Sequence, residues 1–190
     1  MRNIRIQKLV LAAMFFAIGL VLPFITGQIP QIGQMLLPMH LPVFLCSLIV
    51  GWPYGLAIGF LLPLVRSLLF VMPPLYPNAI AMAFELACYG FFSGFLYRIL
   101  LKAKLPKLVS LLTALIVSMI IGRLVWGAVT YVLFLINGKA FTFEAFLAGA
   151  VLNAVPGIIL QIVLIPAIVL SLDAADIIPW QTKGERFSAK

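Results

Sequence analysis

The sequence predicts an all-α integral membrane protein, a single domain of six transmembrane helices, and three observations carry that prediction. Of its 190 residues, 64% fall in the set AVILMFWYC and 9% are charged, with a mean hydropathy of +1.20. A soluble domain carries about 45–50% apolar and about 25% charged residues, so these side chains cannot build a water-facing surface. The apolar residues also come in runs near the roughly 20 that a helix needs to cross hydrocarbon. Third, the basic residues gather in alternate connections between those runs. The chain leaves no room for a soluble catalytic or nucleotide-binding domain beside six short-looped spans.

The spans follow in order. The first covers about 6–25. Its basic start at Met1–Lys8 and its apolar stretch resemble a signal peptide, but Thr26-Gly27-Gln28-Ile29-Pro30 follows, with no A-x-A-like cleavage site. A polar connection leads to the second span, about 38–50, which is short. Gly51-Trp52-Pro53 reads as a tight turn, because proline cannot continue a helix and glycine tolerates its end. The third span, about 54–71, holds Pro63, which removes a backbone hydrogen bond and should kink it. Met72-Pro73-Pro74-Leu75-Tyr76-Pro77 is a stiff connector to the fourth span, about 78–101. A basic loop, Lys102 to Lys107, precedes the fifth span at about 108–136. The sixth, about 145–172, should break near Pro156 and Pro166. No internal repeat is visible, so an inverted-repeat transporter architecture finds no support.

Loop charge sets orientation. The side holding both termini carries Arg2, Arg5, Lys8, Arg98, Lys102, Lys104, Lys107, Lys183, Arg186 and Lys190, and the opposite loops carry only Lys139. Ten against one puts both termini in the cytoplasm. The formal charge of +8 is thereby explained by topology and by attraction to anionic lipid heads of the bilayer, without nucleic acid as a partner. Cys46 and Cys88 lie in apolar runs without C-x-x-C spacing and read as buried thiols.

Three ionisable residues fall inside spans: Arg66, Glu85 and Arg123. Such residues are expensive in a bilayer and usually face a partner or a cavity. At a rise of about 1.5 Å per residue, all three lie between the midplane and the outer third. Neutral polar groups repeat the pattern: His40 opens the second span, Asn78 the fourth, and Asn153 and Gln161 line the sixth. By helical spacing Asn78, Met82 and Glu85 share a face, as do Arg123, Trp126 and Thr130, and as do Asn153, Gly157 and Gln161. The expectation is a polar cavity open to the outside. One carboxylate cannot neutralise two guanidiniums, so the surplus of +1 calls for an anionic ligand, which arginine grips bidentately. The competing reading is an ion pair that merely locks helices together. Gln28, Gln31 and Gln34, in the first outer loop, read equally as a lid or as a solvated loop.

Catalytic signatures are missing. There is no G-x-x-x-x-G-K-[ST] to bind nucleotide and no H-E-x-x-H, and a single histidine forbids a multi-histidine metal site. Gly90-Phe91-Phe92-Ser93-Gly94 has the wrong spacing for a nucleophile elbow. The reading is therefore a non-enzyme with neither cofactor nor metal.

Ala13-x-x-x-Ala17 on the first span is a pair of small residues that lets another helix approach closely. With it stand Leu37-Pro38-Met39-His40-Leu41-Pro42, Pro63-Leu64-Val65-Arg66-Ser67-Leu68-Leu69-Phe70-Val71-Met72-Pro73-Pro74, Asn78-Ala79-Ile80-Ala81-Met82-Ala83-Phe84-Glu85-Leu86 and Gly122-Arg123-Leu124-Val125-Trp126. Over about 6–172 these runs resemble the substrate-binding S components of energy-coupling factor (ECF) vitamin transporters. The pantothenate type is most similar, and the pyridoxine or hydroxymethylpyrimidine type is close behind.

The resemblance implies the S-component, riboflavin-transporter-like fold in a bacterial plasma membrane. It also implies capture of a vitamin from outside and docking through Ala13 and Ala17 on a transmembrane coupling subunit (EcfT-like). Two cytosolic ATPases (EcfA-like) would drive the transport, and toppling of the S component would deliver the vitamin inward. The pocket residues do not follow from the resemblance and rest on polarity. Arg66 and Arg123 are expected to hold the carboxylate of pantothenate, with Glu85, Asn78 and Asn153 on hydroxyl or amide groups and Trp126 as an apolar wall. His40, Gln161 and Gln34 complete the set. For a neutral ring, Trp126 and Tyr131 would stack and the second arginine would be paired elsewhere. A structural or regulatory subunit without ligand is the reading from another class.

Overall fold

A computed structural model describes residues 4–26, 37–138, 140–149 and 153–175. Among these the regular structure is entirely helical: α1 Ile4–Thr26, α2 His40–Ile49, α3 Trp52–Phe70, α4 Ile80–Lys102, α5 Lys107–Ile136, α6 Phe143–Leu147 and α7 Val155–Ala174. A wide turn at Leu75–Ala79 leads into α4. Five stretches, corresponding to α1, α3, α4 with its leading turn, α5 and α7, are long and apolar enough to cross a bilayer. The sixth expected span is represented by α2, whose ten residues rise about 15 Å, half of a hydrocarbon core.

The shortness of α2 goes with its position. Nine of its ten residues are buried, packed against α1, α3, α4 and α7, so little of it meets lipid. Gly51, at φ +130°, ends it and turns the chain into α3, where Pro53 stands in the first turn and its missing N–H costs nothing. The α3–α4 crossing is the most extensive contact of the bundle. A Cβ on Gly55 would lie 2.8 Å from the Gly90 carbonyl oxygen, so the two backbones meet only because both residues are glycine. The Ser47 hydroxyl donates to the Gly90 carbonyl and accepts from the Gly94 N–H at 2.9 Å, which fastens α2 to the same crossing.

Two boundaries differ from expectation for local reasons. The segment read as one span from residue 145 starts instead with the short α6, where the Thr142 hydroxyl caps the Ala145 N–H at 3.2 Å. The chain then turns, and α7 begins at Val155. Pro156 opens α7 rather than breaking it, because the first turn needs no N–H. Pro63 and Pro166 lie inside helices that continue through them. At the end of the bundle holding Gly51, Lys107 and Asp173 pair at 2.7 Å and join the start of α5 to the end of α7.

Candidate functional site

Three helices converge on one carboxylate. Glu85 and Tyr89 are one turn apart on α4, and the Tyr89 hydroxyl donates to Glu85 Oε1 at 2.8 Å. From α5, Arg123 Nη1 lies 2.9 Å from the same oxygen. From the first residue of α2, His40 Nε2 lies 3.7 Å from it. Glu85 and Tyr89 are each 1% exposed and His40 2%. The cluster belongs to the half of the bundle where α2 and α4 begin and α5 ends.

Small and flat neighbours make that convergence possible. A Cβ on Gly122 would overlap the Tyr89 ring, so glycine at this position lets the ring lie against α5 and brings the next residue, Arg123, opposite Glu85. The ring also stacks on Phe44 at 5.0 Å and 26°, and tilts against His40 at 5.4 Å. Four buried polar atoms have no hydrogen-bond partner among the described residues: His40 Nδ1 and Nε2, Arg123 Nε and Thr130 Oγ1. Leaving one such group unpaired costs about 1–3 kcal/mol, so their concentration on His40 and on the Arg123 face of α5 singles out this region.

The residues expected from sequence divide into groups. Glu85, Arg123 and His40 meet as described. Gln161 is buried and directs its Nε2 at the Leu37 carbonyl at 3.5 Å, and the same carbonyl accepts the His40 N–H at 3.0 Å, so Gln161 borders the cluster. Trp126, one turn beyond Arg123, is half-buried in an aromatic group with Phe141 at 6.1 Å and Phe146 at 6.3 Å. Asn78 and Asn153 are exposed. Tyr131 is 53% exposed on the outside of α5. Gln34, with Gln28 and Gln31, lies outside the described residues.

Arg66 goes elsewhere. Its guanidinium donates to the Leu20 carbonyl of α1 and lies over the rings of Phe24, at 4.6 Å, and Phe70, at 5.5 Å. The expected clamp of two arginines on one ligand carboxylate is therefore not assembled in this structure. Both arginines were recognisable as intramembrane charges, but which neighbour each meets depends on helix rotation. The structure adds Tyr89, Gly122 and Thr130 to the residues of this region, and the signal in sequence is that Tyr89 stands one turn from Glu85 and Gly122 directly before Arg123.

On α1, Ala13 and Ala17 lie exposed along one face with Val10, Met14 and Val21. No group of three or more metal-ligating side chains occurs among the described residues. The chain matches no curated protein and no solved structure in the comparisons made. A family model does match: the six-run pattern, the apolar helices and the intramembrane charges accompany a match of residues 7–169 to the ECF transporter, substrate-specific component family, and the chain belongs to that family.

Proposed function

We propose that this chain is the vitamin-binding subunit of an ECF importer, a transport subunit rather than an enzyme. It takes a small vitamin from outside at the His40 end of the bundle and passes it inward with the help of a coupling subunit (EcfT-like) and two ATPases (EcfA-like). The observation that carries this reading is the buried Glu85–Arg123–His40–Tyr89 cluster, whose unpartnered polar atoms ask for a hydrogen-bonding ligand in one half of a membrane bundle. Glu85, Arg123 and His40 form the floor of the proposed site, with Trp126, Gln161, Asn78 and Asn153 around it. Both termini are cytoplasmic in this reading, by loop charge, and Ala13 and Ala17 face the coupling subunit.

Pantothenate is the substrate type that the sequence resembles most, and the unpaired Nε–H of Arg123 supports an acceptor on the ligand. The pyridoxine or hydroxymethylpyrimidine type is favoured by a different observation, the engagement of Arg66 with α1, which leaves Arg123 balanced by Glu85. The test is a thermal-shift series on the purified chain with pantothenate, pyridoxine and hydroxymethylpyrimidine. A ligand at 100 times its Kd adds about 2.7 kcal/mol to the folded state, so the cognate vitamin should raise the melting temperature by several degrees. A chain that no vitamin stabilises would instead fit the structural-subunit reading.

A further inference from the structure

We infer that Thr130 binds ligand at the far end of a two-ended site, and that the ligand is an extended molecule rather than a compact ring. The inference rests on the vitamin-binding reading above and gives its ligand a length.

It begins with an unused hydroxyl. Thr130 is 5% exposed, and its Oγ1 has no hydrogen-bond partner among the described residues. A hydroxyl inside a helix can satisfy itself on a carbonyl three or four residues back. Ser93 and Ser118, buried in α4 and α5, take that course, donating to the Tyr89 and Leu115 carbonyls at 2.6 and 2.8 Å. Thr130 does not. Its hydroxyl is left to both donate and accept elsewhere.

Placement supplies the length. Thr130 stands seven residues after Arg123, two turns along the same face of α5, which is about 10 Å further along the helix. Between them Gly127 carries no side chain, and the Phe146 ring that fills the notch brings no polar atom. Trp126 stacks on Phe146 at 6.3 Å and 28°, so the sides of this strip are aromatic. Just beyond Thr130 the Tyr76 hydroxyl donates to the Leu133 carbonyl and fixes the turn at Leu75–Ala79 to α5. The strip therefore offers free polar atoms at two ends: His40 and Arg123 Nε at one, and Thr130 at the other. A buried water needs two to four polar partners. Thr130 Oγ1 is the only unpartnered buried side-chain atom outside the His40 and Arg123 pair among the described residues, so a water there would meet no second free side chain. One long ligand with a polar group at each end serves both. Pyridoxine and hydroxymethylpyrimidine are single rings with short substituents and reach only one end, whereas pantothenate has hydroxyls at one end and a carboxylate at the other.

Calorimetric titration of the purified full-length chain and of Thr130→Val with pantothenate, pyridoxine and hydroxymethylpyrimidine tests this. Pantothenate should bind at least about tenfold more tightly than either ring, and Thr130→Val should weaken it about fivefold to tenfold, the usual worth of one neutral hydrogen bond. The melting temperature of ligand-free Thr130→Val should be equal to that of the unaltered chain or higher, because the hydroxyl it loses has no partner. A ring that binds most tightly, or pantothenate affinity within twofold in the variant, overturns the inference and leaves the vitamin-binding reading standing. So does a ligand-free variant that melts lower or fails to fold, since the hydroxyl would then serve the helix bundle. Absence of binding by all three compounds removes both.

Discussion

Arg123 reaches Glu85 at 2.9 Å because Gly122, the residue before it, leaves room for the Tyr89 ring between α4 and α5. The ion pair thus depends on a side chain that is absent. Without that space the ring would hold α5 away from the carboxylate, and a buried charge would be left on each helix.

Removing one partner of the pair should be far worse than removing both. Arg123→Ala leaves the Glu85 charge buried without its counter-ion, and such a break typically costs about 3–5 kcal/mol. Glu85→Gln combined with Arg123→Gln retains the shape and removes both charges, so its loss should be clearly smaller. Denaturation of the single and double variants in detergent compares them. A double variant as unstable as Arg123→Ala would show that the lost attraction of the pair, and not a stranded buried charge, sets the cost here.

Gly122→Ala should destabilise by about 1–3 kcal/mol, the usual range for overpacking, since its Cβ would overlap the Tyr89 ring. Combining it with Tyr89→Ala, which removes the ring, should make the added methyl nearly neutral relative to Tyr89→Ala alone. Melting temperatures of the four proteins in the cycle provide the check, and a methyl equally costly in both backgrounds would place the conflict elsewhere.

Arg66→Gln should lower stability by about 1–2 kcal/mol through the lost carbonyl and aromatic contacts, and leave vitamin affinity within about twofold. This separates the observed geometry from the clamp of two arginines. A tenfold fall in affinity at unchanged stability would restore Arg66 to the ligand site.

Ala13→Leu and Ala17→Leu lie on an exposed face of α1, so stability should change by no more than about 0.5 kcal/mol. The proposed docking role requires close helix approach, so co-purification with a coupling module and ATP-driven uptake should both fall steeply while vitamin binding persists. Normal uptake by the double variant would move the docking surface off this face.

Much of the architecture was legible from local pattern. Runs of apolar residues mark α1, α3, α4 and α5 to within a few residues, because span length is a property of one segment and the bilayer. The short second run, read at about 38–50, likewise holds α2 at His40–Ile49, and what it left open is that other helices enclose it. The less legible parts were those where neighbours or local caps decide. α6 separates from α7 through a threonine cap and a proline that starts a helix, details that an apolar stretch conceals.

The chemistry of the candidate site divides along the same line. Sequence alone determined that the chain is a helical membrane protein, that its basic residues lie in alternate connections, that Arg66, Glu85 and Arg123 stand inside apolar runs, and which family it resembles. The first three follow from the cost of placing each residue type in hydrocarbon, one segment at a time, and the family resemblance rests on the runs around Ala13, His40, Arg66, Glu85 and Arg123. Only the tertiary structure decided that Arg123 and His40 turn to Glu85 while Arg66 turns to α1. Such pairings depend on the rotation and closeness of whole helices, which Gly55, Gly90 and Gly122 set by what they lack, and a property of two packed surfaces is not written in either one alone.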